Sequence, residues 1–182
     1  MTHFPVYTLD TAPERSRPAL SGLAQAFGRV PGVAGVMASS SQLINGLVAV
    51  FGQVHGGSFT EAEIQVLLLT NAVTNSAAWA VAFHSFLGLK EGLTEADVEA
   101  IRQRQLPQDA RLAALSRLAR ALIEHRGQVD DQAIAAFLEA GFDQALLLEV
   151  ILVEAASTMT NYTASVARLT LDEFLEPHAW RA

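Results

Sequence analysis

The amino-acid sequence predicts an all-α fold, and three observations predict it. Apolar residues recur at helical spacing along nearly every segment, and no stretch alternates in the way a half-buried strand does. Capping residues and glycines also punctuate the chain at helix-length intervals. At 182 residues the chain fits one domain, 1–182, built from about eight to nine helices.

Taken in order, a first helix is expected over about Pro13 to Phe27, closed by the turn from Gly28 to Gly32. A short helix then runs to about Ser39, and Ser39-Ser40-Ser41 reads as an interhelix cap. The next helix, from about Ser41, should turn Leu43, Leu47, Val50 and Phe51 toward a core and stop at Gly56-Gly57. Thr60-Glu61-Ala62-Glu63 has the spacing of a capping box, in which hydroxyl and carboxylate satisfy each other's orphan amides, and should open a helix through Asn75. The segment from about Ser76 to Glu91 is apolar on almost every side, which marks a central helix. With its predecessor it forms a central pair over about 60–91. Thr94 caps a short helix with Glu95 and Asp97 in its first turn. Ala110 to Arg126 places Leu112, Leu115, Leu118 and Leu122 on one side before Gly127. Asp130 and Asp143 are N-cap residues for the last two helices, the final one spanning about Gln144 to Arg168.

Composition narrows the function. The net charge is −7 and the arginines are scattered, so the basic stripe that nucleic-acid binding needs is missing. The apolar runs at 67–69 and 146–153 fall short of the roughly 20 residues of a membrane span, and the N-terminal residues carry no signal-peptide pattern. Cytoplasmic residence is the default expectation. Half of the residues are hydrophobic (51%), a surplus that points to a subunit interface and hence a homo-oligomer. The chain has no cysteine, which removes disulfides, thiolate metal ligands and thiol catalysis. His3, His55, His84, His125 and His178 show no ligand spacing among themselves or with carboxylates, so neither metal nor cofactor is expected. Gly56-Gly57 is a turn rather than a phosphate loop; His55 beside it could reach a pocket mouth, but a surface turn is the simpler account.

Phe59-Thr60-Glu61-Ala62-Glu63-Ile64-Gln65-Val66, followed by Asn75-Ser76-Ala77-Ala78-Trp79-Ala80-Val81-Ala82-Phe83-His84, resembles the AhpD-like / carboxymuconolactone decarboxylase family. In that family a capped helix leads to a Cys-x-x-Cys-x-x-x-His motif at the start of the next. Phe27 to Pro31, Glu149, Asn161-Tyr162 and Leu169 to Asp172 are similar to its peroxidase-related subgroup, so the likeness spans about residues 5 to 175, with the core motif region at about 43–126. The resemblance places the two redox cysteines on Ala77 and Ala80 and the relay glutamate on Gln65; of four relay positions only His84 is kept. Glu63 remains, but as a cap before a catalyst. A thiolate must attack the peroxide O–O bond and a second thiol must resolve the sulfenic acid, so this chain cannot perform cysteine-dependent peroxidase chemistry.

Small side chains then make a geometric case. At about 100° per residue Ala77, Ala80, Val81, His84 and Gly88 share one helix face. Such a face leaves space that a neighbouring helix or a small ligand must fill. A closed, mostly apolar pocket at His84 is expected, with Gln65 and Asn75 as polar contacts and Ala77, Ala80 and Gly88 as walls. The plainer account of His84 is a core histidine with one hydrogen-bond partner. Trp79 lies on the other side and reads as core or interface packing. Glu149 and Glu154 sit about 140° apart on the final helix, so at least one should be solvated or paired with an arginine across an interface. Glu154 held in an apolar pocket would have a raised pKa and could act as an acid.

The resemblance implies a non-redox homologue, binding a small molecule or serving as an oligomeric scaffold, assembled as a dimer, trimer or hexamer. It also implies an alternative, a decarboxylase-like enzyme acting on a lactone or aromatic acid with His84 as proton donor.

Overall fold

The computed structural model describes residues 4–181, and His3 lies outside them. Among the described residues there are nine α-helices and no strand. They are α1 (Arg17–Phe27), α2 (Gly32–Met37), α3 (Ser41–His55), α4 (Glu61–Thr74) and α5 (Ala78–Lys90), then α6 (Glu95–Arg102), α7 (Ala110–Glu124), α8 (Asp131–Glu139) and α9 (Gln144–Ala167).

The centre of the molecule is α4. Every residue from Glu63 to Val73 is buried, so beyond its exposed first residue the body of this helix has no solvent face, and it packs against α5, α6, α7 and α9. Its capping box forms as expected. Thr60 Oγ1 accepts the Glu63 N–H at 3.3 Å, and Glu63 Oε2 accepts the Thr60 N–H at 2.9 Å. Arg111 on α7 donates to Glu63 Oε1 at 2.7 Å while its guanidinium lies over the Phe142 ring. Burial raises the Glu63 carboxyl, but the Thr60 amide, Arg111 and the Thr60 hydroxyl outweigh it and hold the group below its ordinary value. Glu63 is fully occupied as a cap.

Several element boundaries differ from expectation for local reasons. The first helical segment is divided into a 3-10 turn at Glu14–Ser16 and α1, with Pro18 in the first turn of α1. Helix α5 begins at Ala78 rather than Ser76, because Ser76 adopts a left-handed conformation (φ 53) and Ala77 has no side chain that could cap. Asp109, not anticipated as a cap, accepts the Arg111 and Leu112 amides at 2.9 Å and opens α7. On α3 the buried residues are Ile44, Leu47 and Val54, whereas Leu43, Val50 and Phe51 are half-buried. That difference matters, because Phe51 is left facing a cavity.

After α9 the chain folds back over α5. A 3-10 segment at Glu173–His178 packs there, fixed by Arg102, which donates to the His178 and Ala179 carbonyls at 2.9 Å. Asp172 links three parts of the fold by accepting the Gly32 amide at 3.3 Å and the Trp79 indole N–H at 2.8 Å. Trp79 is therefore core, stacked on Phe83 at 5.0 Å, with its one polar atom satisfied.

Candidate functional site

His84 projects from the fully packed middle of α5 and is 3% exposed. Its Nδ1 lies 3.0 Å from Oε1 of Gln65, itself 2% exposed on the neighbouring α4. The carbonyl oxygen can only accept, so Nδ1 carries the proton and Nε2 is bare. Burial, with a smaller contribution from the charge of His55, pushes the His84 pKa down to about 3, so the ring is neutral near pH 7.

Beside this pair lies a cavity of about 500 Å³. Four helices converge on it. From α1 come Leu23 and Phe27, from α3 Val48, Phe51 and His55, and from α5 Phe83 and Leu87; Gln65 and Leu68 on α4 complete the interior. His55 and the charged residues Glu61, Lys90 and Glu91 also line it. All but the half-buried Glu91 are exposed, so they form its mouth. His55 Nδ1 and Glu61 pair at 2.9 Å, and the imidazole stacks on Phe51 at 5.5 Å. An apolar interior with a few converging polar groups is the usual character of a small-molecule site.

The structure brings together His84 and Gln65, as expected, and leaves the other anticipated pocket residues outside the lining of the cavity, although Gly88 packs against Gln65. Ala77 and Ala80 are buried at the start of α5 and do not line the cavity. The space beside Gly88 is filled: a Cβ there would lie 2.9 Å from Leu93 Cδ1, so the glycine serves a close approach between chain segments. Asn75 donates to the Asn71 carbonyl and to its side-chain oxygen, and borders a different cavity of about 390 Å³. The cavity is also open at its charged mouth rather than closed. Leu23, Phe27, Val48, Phe51 and Glu61 were not anticipated as its lining, whereas His55 takes the place at the mouth that is the alternative to its simpler reading as a surface turn. Their signal was present on α3, where Val48, Phe51, Gly52 and His55 follow helical spacing, but spacing shows a shared face and not a gap in front of it.

A second polar cluster lies between α4 and α9. The Glu154 carboxylate accepts the side-chain N–H of Asn71, and Asn71 in turn accepts from Asn161 Nδ2 at 2.7 Å. Burial pushes the Glu154 pKa up to about 8, with the Asn71 hydrogen bond opposing it. Glu149, on the other side of α9, accepts the Ser58 amide and hydroxyl at 2.9 Å and holds the α3–α4 turn. Neither carboxylate pairs with an arginine among the described residues.

The chain matches no family model and no curated protein. Solved structures are similar over nearly its whole length. An AhpD-core, peroxidase-related protein from Ralstonia eutropha superposes with a TM-score of 0.83 at 16% identity, covering 95% of this chain and 93% of that one. A peroxidase-related protein from a Silicibacter species gives 0.79 at 16% identity, covering 96% and 95%. A cysteine-to-alanine variant of the debrominase Bmp8, in complex with 2,3,4-tribromopyrrole, gives 0.82 at 12% identity, covering 98% and 95%. The fold is therefore that of the AhpD core. The chain carries it without a cysteine.

Proposed function

We propose that this protein is a non-redox, small-molecule-binding form of the AhpD fold that holds an uncharged aromatic ligand in the cavity beside His84. The observation that carries the reading is the cavity itself. About 500 Å³, walled by Phe27, Phe51, Phe83 and aliphatic side chains, ends on one buried His–Gln pair. A relative of the same fold supports it, because the debrominase variant is in complex with a small halogenated azole after a cysteine has been replaced by alanine. Binding in this fold thus survives removal of that thiol.

The decarboxylase alternative fits less well. A proton donor needs an ionisable proton near neutral pH. His84 is neutral there, and its one N–H is engaged by Gln65. The cavity lines up no arginine for a substrate carboxylate, and Lys90 at the mouth is exposed.

The test is a thermal-shift and calorimetric screen of neutral one- and two-ring aromatics against the wild-type chain and Val48→Trp, whose larger side chain intrudes into the space a ring would take. Ligands should raise the melting temperature of the wild type only. No shift with any ring, or equal shifts in both proteins, would remove the reading.

A homo-oligomer belongs to the same proposal. Leu148, Ile151, Tyr162 and Val166 on α9 are 65%, 47%, 58% and 69% exposed. At about 100° per residue they fall within about 60° of arc, forming one apolar stripe. Light scattering of a monomer at micromolar concentration would refute it.

A further inference from the structure

Resting on the cavity reading above, we infer that the ligand class is an uncharged aromatic that carries an O–H or N–H hydrogen-bond donor, seated with that donor on Nε2 of His84. The inference comes from atoms the protein leaves available. Among the described residues, only Glu154 Oε1 and Asn161 Oδ1 are fully buried side-chain polar atoms without a partner. Nε2 of His84 and the amide nitrogen of Gln65 make no hydrogen bond to the described residues, yet neither belongs to that pair, so both touch accessible space. The space that both residues line is the cavity; His84 alone also borders an adjoining void of about 30 Å³, too small for a ring.

The two atoms have opposite character. Because Gln65 Oε1 holds the Nδ1 proton, Nε2 presents a lone pair and accepts. The Gln65 amide presents N–H and donates. A hydroxyl can give its proton to Nε2 and take a hydrogen bond from Gln65 through the same oxygen. An azole N–H satisfies Nε2 alone. A ring with no donor leaves a buried acceptor unpaired after displacing whatever water reaches it, which costs binding. An ionised carboxylate or phenolate meets the Nε2 lone pair with another acceptor and is disfavoured. The surrounding phenylalanine rings supply the apolar area but no polar alternative.

The experiment compares ligand pairs of equal size by calorimetry on the intact chain: β-naphthol against β-methylnaphthalene, and indole against benzothiophene. Each donor-bearing member should bind roughly tenfold more tightly or better than its partner, the value of one satisfied hydrogen bond. In His84→Phe the preference should vanish while ring binding persists. Nitrogen NMR of the imidazole provides a readout that needs no variant: free protein should show Nδ1 protonated, and β-naphthol should shift the Nε2 resonance. Equal affinities within both pairs, abolished by Val48→Trp, would overturn the donor requirement and leave the cavity reading standing. Binding of no ring at all would overturn both. A protonated Nε2 in the free protein would overturn the donor requirement by itself.

Discussion

Glu154 should give this protein an alkaline-sensitive fold, and the size of the effect follows from its position. The carboxyl is buried on α9 against Asn71, which pushes its pKa from an ordinary 4.5 up to about 8. Between those values the folded chain keeps a proton that the unfolded chain has released. Stability is therefore complete below pH 4.5 and declines as pH rises to about 8. A gap of about 3.5 units at about 1.4 kcal/mol per unit sets an upper bound of about 5 kcal/mol. His84 acts in the opposite direction. Its folded pKa of about 3 lies below the ordinary 6.5, so its contribution is complete above 6.5 and lost as pH falls toward 3. From these two groups, the slopes cancel between about pH 4.5 and 6.5, and stability falls on either side of that plateau. Glu154→Gln keeps an acceptor for Asn71 and removes the proton. Urea unfolding followed by circular dichroism, from about pH 6 to about pH 9, should show the wild type losing about 2–3 kcal/mol relative to the variant, the share of the linkage that lies between about pH 6 and 8. Parallel pH profiles for the two proteins would refute the reasoning.

Other expectations can be checked with the same unfolding assay. Asp172→Ala strips the acceptor from both the Gly32 amide and the Trp79 indole, and should cost about 2–4 kcal/mol; a loss under about 0.5 kcal/mol would show that the link is not structural. Gly35→Ala would place a Cβ 2.7 Å from the Tyr7 carbonyl oxygen, and that backbone cannot yield without giving up the Tyr7–Gly35 hydrogen bond. It should destabilise by about 1–3 kcal/mol, and an unchanged midpoint would contradict the close approach. Ala77→Cys with Ala80→Cys introduces the thiol spacing of the family the sequence resembles at the N-terminus of α5, where the helix dipole favours a thiolate. Mild oxidation should leave no titratable thiol. Two free thiols in a folded, oxidant-treated protein would show that the resemblance is misplaced at these residues.

Much of the architecture could be read from the chain. Thr60 and Glu63 are three residues apart and cap each other, so α4 begins where local chemistry says it must. Asp130, Asp143 and Thr94 likewise cap the helices expected to follow them. The boundary that moved, at Ser76, depends on a backbone torsion, and the cap at Asp109, which opens α7 at the expected Ala110, depends on a side chain reaching the amides of its neighbours.

The site divided along a similar line. Composition settled that no thiol chemistry is available, because a missing atom type cannot be supplied by folding. The pairing of His84 with Gln65 was also within reach, since the resemblance put both on neighbouring helices. The cavity was not, because its walls come from α1 and α3, and the gap between two helix faces depends on how far apart packing holds them. Gly88 shows the same limit: small residues in a row suggested a void, and Leu93, arriving from a turn, fills it. Which carboxylate of α9 faces inward was equally a tertiary decision. Helical spacing fixes that Glu149 and Glu154 point apart, but only the packing of α4 against α9 puts Glu154 on Asn71 and leaves Glu149 to hold a turn. Local sequence sets torsions and caps, whereas the distance between non-adjacent surfaces is set by the whole core at once.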